Sequence, residues 1–183
     1  IYLHENGITI VAKPGAKGAK AGETYELNGK KYYVAINKQD LERLVDEDAD
    51  MTKVVTSKIT TMNNLFSYSK FNRDISNWDT SNVKSMSEMF YQNEDFNQAI
   101  GHWNTKNVTA MISMFHGASS FNQPIGNWDT IRLNNITSMF EDAKSFNQSI
   151  ENWVGFGTSI KGPIKSHNCM IIRNAFKGAE SFN

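Results

Sequence analysis

The chain has 183 residues, with 19 Lys and Arg against 19 Asp and Glu, four His and one Cys. That length accommodates one or two domains with a core, and the charge balance supplies no basic face for nucleic acid or an anionic membrane. The single cysteine, Cys169, excludes an intramolecular disulfide and sits in no zinc-ligand spacing, and no run reaches the roughly 18 apolar residues of a membrane-spanning helix.

Residues 1–46 do not repeat. Ile8 to Ala12 reads as a strand, and Lys13-Pro14-Gly15 with the Gly/Ala/Lys stretch to Gly22 reads as a loop. Glu23–Leu27 and Lys31–Ile36 flank Asn28-Gly29, the dipeptide that most readily takes the two positive φ angles of a tight hairpin turn. A small β-meander is predicted here. Leu41, Leu44 and Val45 then fall at helical spacing, with Asn37 as N-cap and Asp40 in the first turn. Together these elements, residues 1–46, are expected to cap the N-terminal end of a repeating array.

From Glu47 the chain repeats. FNRDISNWDTSNVKSMSEMFYQNED, residues 71–95, recurs from Phe96, from Phe121 and, with an interruption, from Phe146, each time after 25 residues. Residues 47–70 are a degenerate first copy, with Met51 at the Ile75 position and Val54 at the Trp78 position. The units are 47–70, 71–95, 96–120, 121–145 and 146–181, the last carrying 11 extra residues near 154–164. A period in this range marks a solenoid whose units bury their apolar faces only by stacking, and terminal units are atypical. The predicted class is α/β: each coil contributes a short parallel strand over Phe71–Trp78 and one or two helical turns where Met86, Met89 and Phe90 stand at i, i+3, i+4. The crossover rule makes such a solenoid right-handed.

Columns of identical residues divide by chemistry. Asn72, Asn97, Asn122 and Asn147 follow the Phe of each coil and read as a buried structural ladder satisfying backbone groups at the bends. Trp78, Trp103, Trp128 and Trp153 are either packing residues or, where exposed, an aromatic strip for a ligand. Asp79, Asn104 and Asp129 with their following threonines suit turn capping better than a calcium ladder. Cys169 falls in the apolar column of Val83, Val108 and Leu133. His4, His102, His116 and His167 occupy unrelated repeat positions, no phosphate loop is present, and no nucleophile stands beside a base, so neither a catalytic set nor a cofactor or metal site is read.

The phrase F-N-Q-x-I-x-x-W-D-T-x-x-V-x-x-M-x-x-M-F-x-x-A-x-S, carried by Phe96-Asn97-Gln98, Trp103-Asn104-Thr105 and Met114-Phe115-His116-Gly117-Ala118, resembles the BspA-like leucine-rich-repeat surface proteins. The subgroup is the repeat domain of unknown function found in mycoplasma lipoproteins. The resemblance covers residues 47–183 and implies a leucine-rich-repeat-like solenoid, secreted or on the cell surface, in a family associated with adhesion and without shared catalytic residues. Departures are Val154 in place of the Asp after Trp153, Ile131-Arg132-Leu133 in place of Ser-x-Val, and the insertion.

The function expected is a non-enzymatic extracellular adhesion module for a protein or glycan. Its candidate ligand-binding residues are Arg73, Asp74, Trp103, Trp128, Phe156 and Lys161, with Ala99, Pro124 and Ser149 as further variable strand positions. The alternative is a structural spacer, or a subunit that assembles with itself through the last coil. Starting at Ile1 without a leader and stopping at Phe182-Asn183, the first residues of another repeat, the sequence reads as part of a longer or processed chain.

Overall fold

The computed structural model describes residues 1–12, 18–154 and 171–182. Strands β1 (Tyr2–Leu3) and β2 (Ile10–Val11) form an antiparallel pair, and β3 (Thr24–Leu27), β4 (Lys30–Val34) and β5 (Val54–Val55) form a second sheet. The expected single meander is therefore two sheets, and no strand signal in the sequence marks β1. β3 and β4 are antiparallel around Asn28 (φ 51°) and Gly29 (φ 73°), and β4 pairs in parallel with β5.

Helix α1 (Lys38–Asp46) begins at Asn37, whose side chain accepts from the Asp40 N–H at 3.0 Å. Asp40 is itself buried, held by Arg43 at 2.8 Å and by the Tyr33 hydroxyl at 2.9 Å. Burial tends to raise its carboxyl, but bonds from the Ile36 N–H, Arg43 and Tyr33 outweigh that and hold it below its usual value. A 3-10 turn, Met51–Lys53, leads into β5.

Beyond Val55 the described residues contain no regular helix and no strand longer than an isolated bridge. Parallel bridges run from Thr61 to Ser85, Ala110, Asn135 and Ile171. The coil-to-coil ladder extends from these positions: the N–H groups of Met62, Asn64, Phe66 and Tyr68 donate to the carbonyls of Ser85, Ser87, Met89 and Tyr91, at 2.8 to 3.1 Å. The same pattern joins Met86, Glu88, Phe90 and Gln92 to the next unit.

Two local expectations are thereby corrected. Met86 to Phe90 is no helical turn, because positive φ at Glu88 (59°) and Gln92 (55°) breaks helical geometry and turns alternate N–H groups toward the neighbouring coil. Three-residue turns such as Met89 N–H to the Met86 carbonyl still bring Met86, Met89 and Phe90 into the core, where all three are fully buried. Nor is Phe71 to Trp78 a strand, since the Asn97 N–H is bonded by the Asn72 side chain rather than by backbone, and Trp78 closes a turn onto the Ile75 carbonyl.

The core is a set of stacked columns. Phe66, Phe90, Phe115, Phe140 and Phe176 follow one another with ring centroids 5.3 to 5.6 Å apart. Each lies against the Phe that opens the next unit, as Phe90 does on Phe96 at 3.7 Å. This offset stacking adds to the area each ring buries. Leu41 and Leu44 of α1 and Ala35 join the same cluster, so one continuous core runs from the helix through the repeated units. Ile10, Ala12, Ala19, Val34 and Val55 form a smaller one under the hairpins.

Candidate ligand-binding cleft

The repeated polar side chains are consumed by contacts between units. Asn72 Oδ1 accepts from the Asn97 N–H at 3.0 Å and from Gln98 Nε2 at 2.9 Å, and Asn97 and Asn122 receive the following unit in the same way. These asparagines lie at or near the surface, which corrects the expectation of a buried ladder, because it is the accepting oxygen and not the whole side chain that the bend requires. Thr80 and Thr105 donate to the carbonyls of Asn104 and Asp129, while Asp79, Asn104 and Asp129 each accept from the N–H two residues on.

Four of the candidate binding residues are placed by the structure. Trp103 and Trp128 are each 3% exposed and donate their indole N–H to the carbonyls of Ile75 and Ile100 at 3.1 Å. A side chain with both its apolar body and its one donor internally satisfied has nothing to offer a ligand, so the aromatic-strip reading is corrected. Arg73 is also committed. Its guanidinium donates to Asp48 Oδ1 at 2.8 Å, to the Ala49 carbonyl at 2.9 Å and to the Val45 carbonyl at 3.3 Å, and lies 5.0 Å from the Phe71 ring centroid. It closes the C-terminal end of α1, where unpaired carbonyls favour a cation. Asp74 is exposed. Phe156 and Lys161, with Cys169, His167 and nearly all of the insertion, lie outside the described residues.

Asp74 stands on the wall of a cleft of about 550 Å³ between the N-terminal hairpins and the first bend of the array. Leu3, Ile8, Ile10 and Tyr32 supply its apolar lining, and Lys30, Asp50, Lys53 and Asn77 join Asp74 around them. Several bonds fix this geometry. The Ile10 N–H donates to the Asn77 carbonyl at 3.1 Å, Asn77 Nδ2 donates to the Thr52 carbonyl at 2.6 Å, and the Ala12 N–H reaches Ser57 Oγ at 2.9 Å. Asn77 Oδ1, though buried, has no hydrogen-bond partner among the described residues. Asp50 is held below the ordinary carboxylate range by its bonds to Thr52 and Lys53, the latter an ion pair at 3.0 Å. That leaves Lys30 and Asp74, the latter accepting from the Ser76 N–H at 2.9 Å, as the charges around the cleft without an ion pair to another described residue, in a mixed polar and apolar space of the size small ligands and peptide side chains occupy.

A smaller cavity of about 230 Å³ lies beside β1 and β2, lined by His4, Thr9, Trp78, Asp79 and His102 among others. Sequence position alone does not relate His4 to His102; the docking of the hairpin on the second and third units does. The cleft was equally hidden, since Leu3, Lys30 and Tyr32 carry no motif and meet Asp74 only through the fold. Alternating apolar residues in the hairpins are the one signal that could have pointed there.

Successive units are bonded edge to edge through their backbones, and a cleft lies where a non-repeating segment meets them. The chain belongs to the family described as Mycoplasma protein of unknown function, DUF285, which matches residues 38–153, from the first residue of α1 to the last tryptophan of the column. No curated protein and no solved structure matches it. The cleft is thus shared between matched residues (Asp50, Lys53, Asp74, Asn77) and residues that precede the match (Leu3, Ile8, Lys30, Tyr32).

Proposed function

We propose that the protein is a non-enzymatic extracellular binding module, a leucine-rich-repeat-like solenoid (residues 47–183) with residues 1–46 as its cap, whose cleft holds a segment of another protein. The observation that carries this reading is the cleft: a wall of Leu3, Ile8, Ile10 and Tyr32 among polar residues, with Lys30 and Asp74 free of ion pairs to other described residues, suits a peptide whose apolar side chain is flanked by charged ones. The dedication of the Asn, Thr and Trp columns to contacts between units supports a scaffold role for the array. Location at the cell surface rests on the resemblance to BspA-like proteins. The test is a binding screen against extracellular-matrix proteins, repeated with Lys30→Glu and Asp74→Lys. Charge reversal should abolish capture of the ligand, and undiminished capture by both variants refutes the cleft.

Self-assembly is a second reading, and one observation favours it. Ile172 is 49% exposed although Met86, Met111 and Ile136 in the same column are fully buried, and Ile171 beside it is 54% exposed. A second copy laid on that coil would cover both. Sedimentation equilibrium decides this, since a monomer at high concentration refutes it.

A further inference from the structure

Across the outer side of the ladder runs a row that is neither core nor cleft. The Tyr68 and Tyr91 rings meet edge to face at 5.2 Å, and Tyr91 packs on His116 at 4.9 Å. Asn64 and Glu88 lie next to them, joined by a bond of 2.8 Å. Gln92 completes the group, and its amide occupies the space a Cβ at Gly117 would fill.

Tyr68 is the anomaly in this row. It is 76% exposed, and its φ is +54°, a conformation that bulky L-residues avoid. Gln92, Gly117, Asp142 and Gly178 hold the same conformation one unit further each time, and small or flexible polar residues tolerate it. The ladder bond from the Tyr68 N–H to the Tyr91 carbonyl imposes the conformation, so what needs explaining is a bulky ring that stays largely exposed there, and that points to use of the side chain. The Tyr91 hydroxyl is raised above its ordinary value, first by the Tyr68 hydroxyl.

We propose that Tyr68, Tyr91, Asn64, Glu88 and Gln92 form a binding site for a neutral glycan. Pyranose rings carry C–H faces that pack on aromatic rings, and hydroxyls that both donate and accept. The tyrosines supply ring and hydroxyl, and the Asn64 and Glu88 pair beside them supplies an amide and a carboxylate for sugar hydroxyls. Of the five residues only Glu88 is charged, and its carboxylate is bonded to Asn64 at 2.8 Å. A carboxylate in the group repels anionic sugars, which selects against uronic or sulfated chains.

The experiment is an array of neutral, sialylated and sulfated oligosaccharides probed with the intact chain, followed by calorimetric titration of the best neutral one. Tyr68→Gly separates recognition from folding, since it removes the ring and relieves the strain together. It should leave Tm unchanged or higher while lowering affinity at least tenfold. Lys30→Glu in the cleft should leave glycan affinity intact, so that failure of this site and failure of the cleft are told apart. The proposal is overturned if no neutral oligosaccharide binds above background, if only acidic ones bind, if Tyr68→Gly binds as tightly as the parent, or if Lys30→Glu loses the glycan.

Discussion

Replacing Trp103 by Phe tests whether the tryptophan column holds the units together or recognises a ligand. The indole is 3% exposed, packs parallel to Trp78 with centroids 6.4 Å apart, and donates its N–H to the Ile75 carbonyl of the preceding unit at 3.1 Å. Phenylalanine keeps an aromatic ring but has no donor, so the carbonyl keeps only the Trp78 N–H, a loss of about 0.5–1.5 kcal/mol. The smaller ring also gives up buried area and leaves a void, adding about 1–2 kcal/mol. A total of roughly 1.5–3.5 kcal/mol is expected, set against a stability of about 5–15 kcal/mol for a typical domain. Urea unfolding followed through the fluorescence of Trp78, Trp128 and Trp153 measures it. With m near 2 kcal/mol/M the midpoint should fall by about 1–2 M. A fall below about 0.3 M would show that the carbonyl finds another partner and that the column is not a structural one.

Three further outcomes are expected from the packing of the units. In Gly126→Ala the new Cβ would lie 2.6 Å from the Ser149 carbonyl oxygen, so the units must part locally; a loss of about 1–3 kcal/mol is expected in the same urea assay. Ser113→Gly frees a residue held at φ 51° and should raise Tm by about 2–4 °C in calorimetry, since a gain near 1 kcal/mol moves a chain of this size by that much. Glu141 is held below its ordinary value of 4.5, chiefly by Lys177, so its contribution to stability is whole above that value and is lost as pH falls through the lowered one. Glu141→Gln should therefore flatten the acid limb of a midpoint-against-pH curve below pH 4.5 while leaving its shape at neutral pH.

The sequence was most legible where local chemistry decides structure. Asn28-Gly29 and Asn37 announce a turn and a helix start because each feature depends on a few neighbouring residues, and the backbone adopts both. The identities of the core columns were equally legible, because burial follows hydrophobic recurrence whatever the backbone does: Ile75, Val83, Met86 and Phe90 are all fully buried. Backbone conformation was not, since an i, i+3, i+4 pattern is satisfied by linked turns as well as by a helix, and nothing in Glu88 or Ser113 signals a positive φ. That conformation is imposed by the neighbouring unit, whose carbonyls claim the N–H groups. Candidate sites fared worst. Arg73 and Asp74 are adjacent and similarly polar, yet one closes a helix end and the other stands at a cleft, a difference made by the position of α1.

The linked-turn backbone also explains where recognition can reside. Alternate N–H groups along each unit point at the next, so the outer surface at those positions is presented at the same height in every coil. Side chains in the positive-φ columns extend from a frame that the ladder already fixes, and Tyr68, Gln92, Gly117 and Asp142 differ widely in size on one backbone conformation. Surface chemistry can thus change from unit to unit without touching the Phe and Trp columns behind it. The cleft obeys another rule, because Leu3, Lys30 and Tyr32 reach Asp74 only while the Ile10 N–H and Ala12 N–H hold the hairpin to Asn77 and Ser57. A substitution that loosens this docking should impair the cleft and spare the tyrosine row, whereas one that parts the units should impair both.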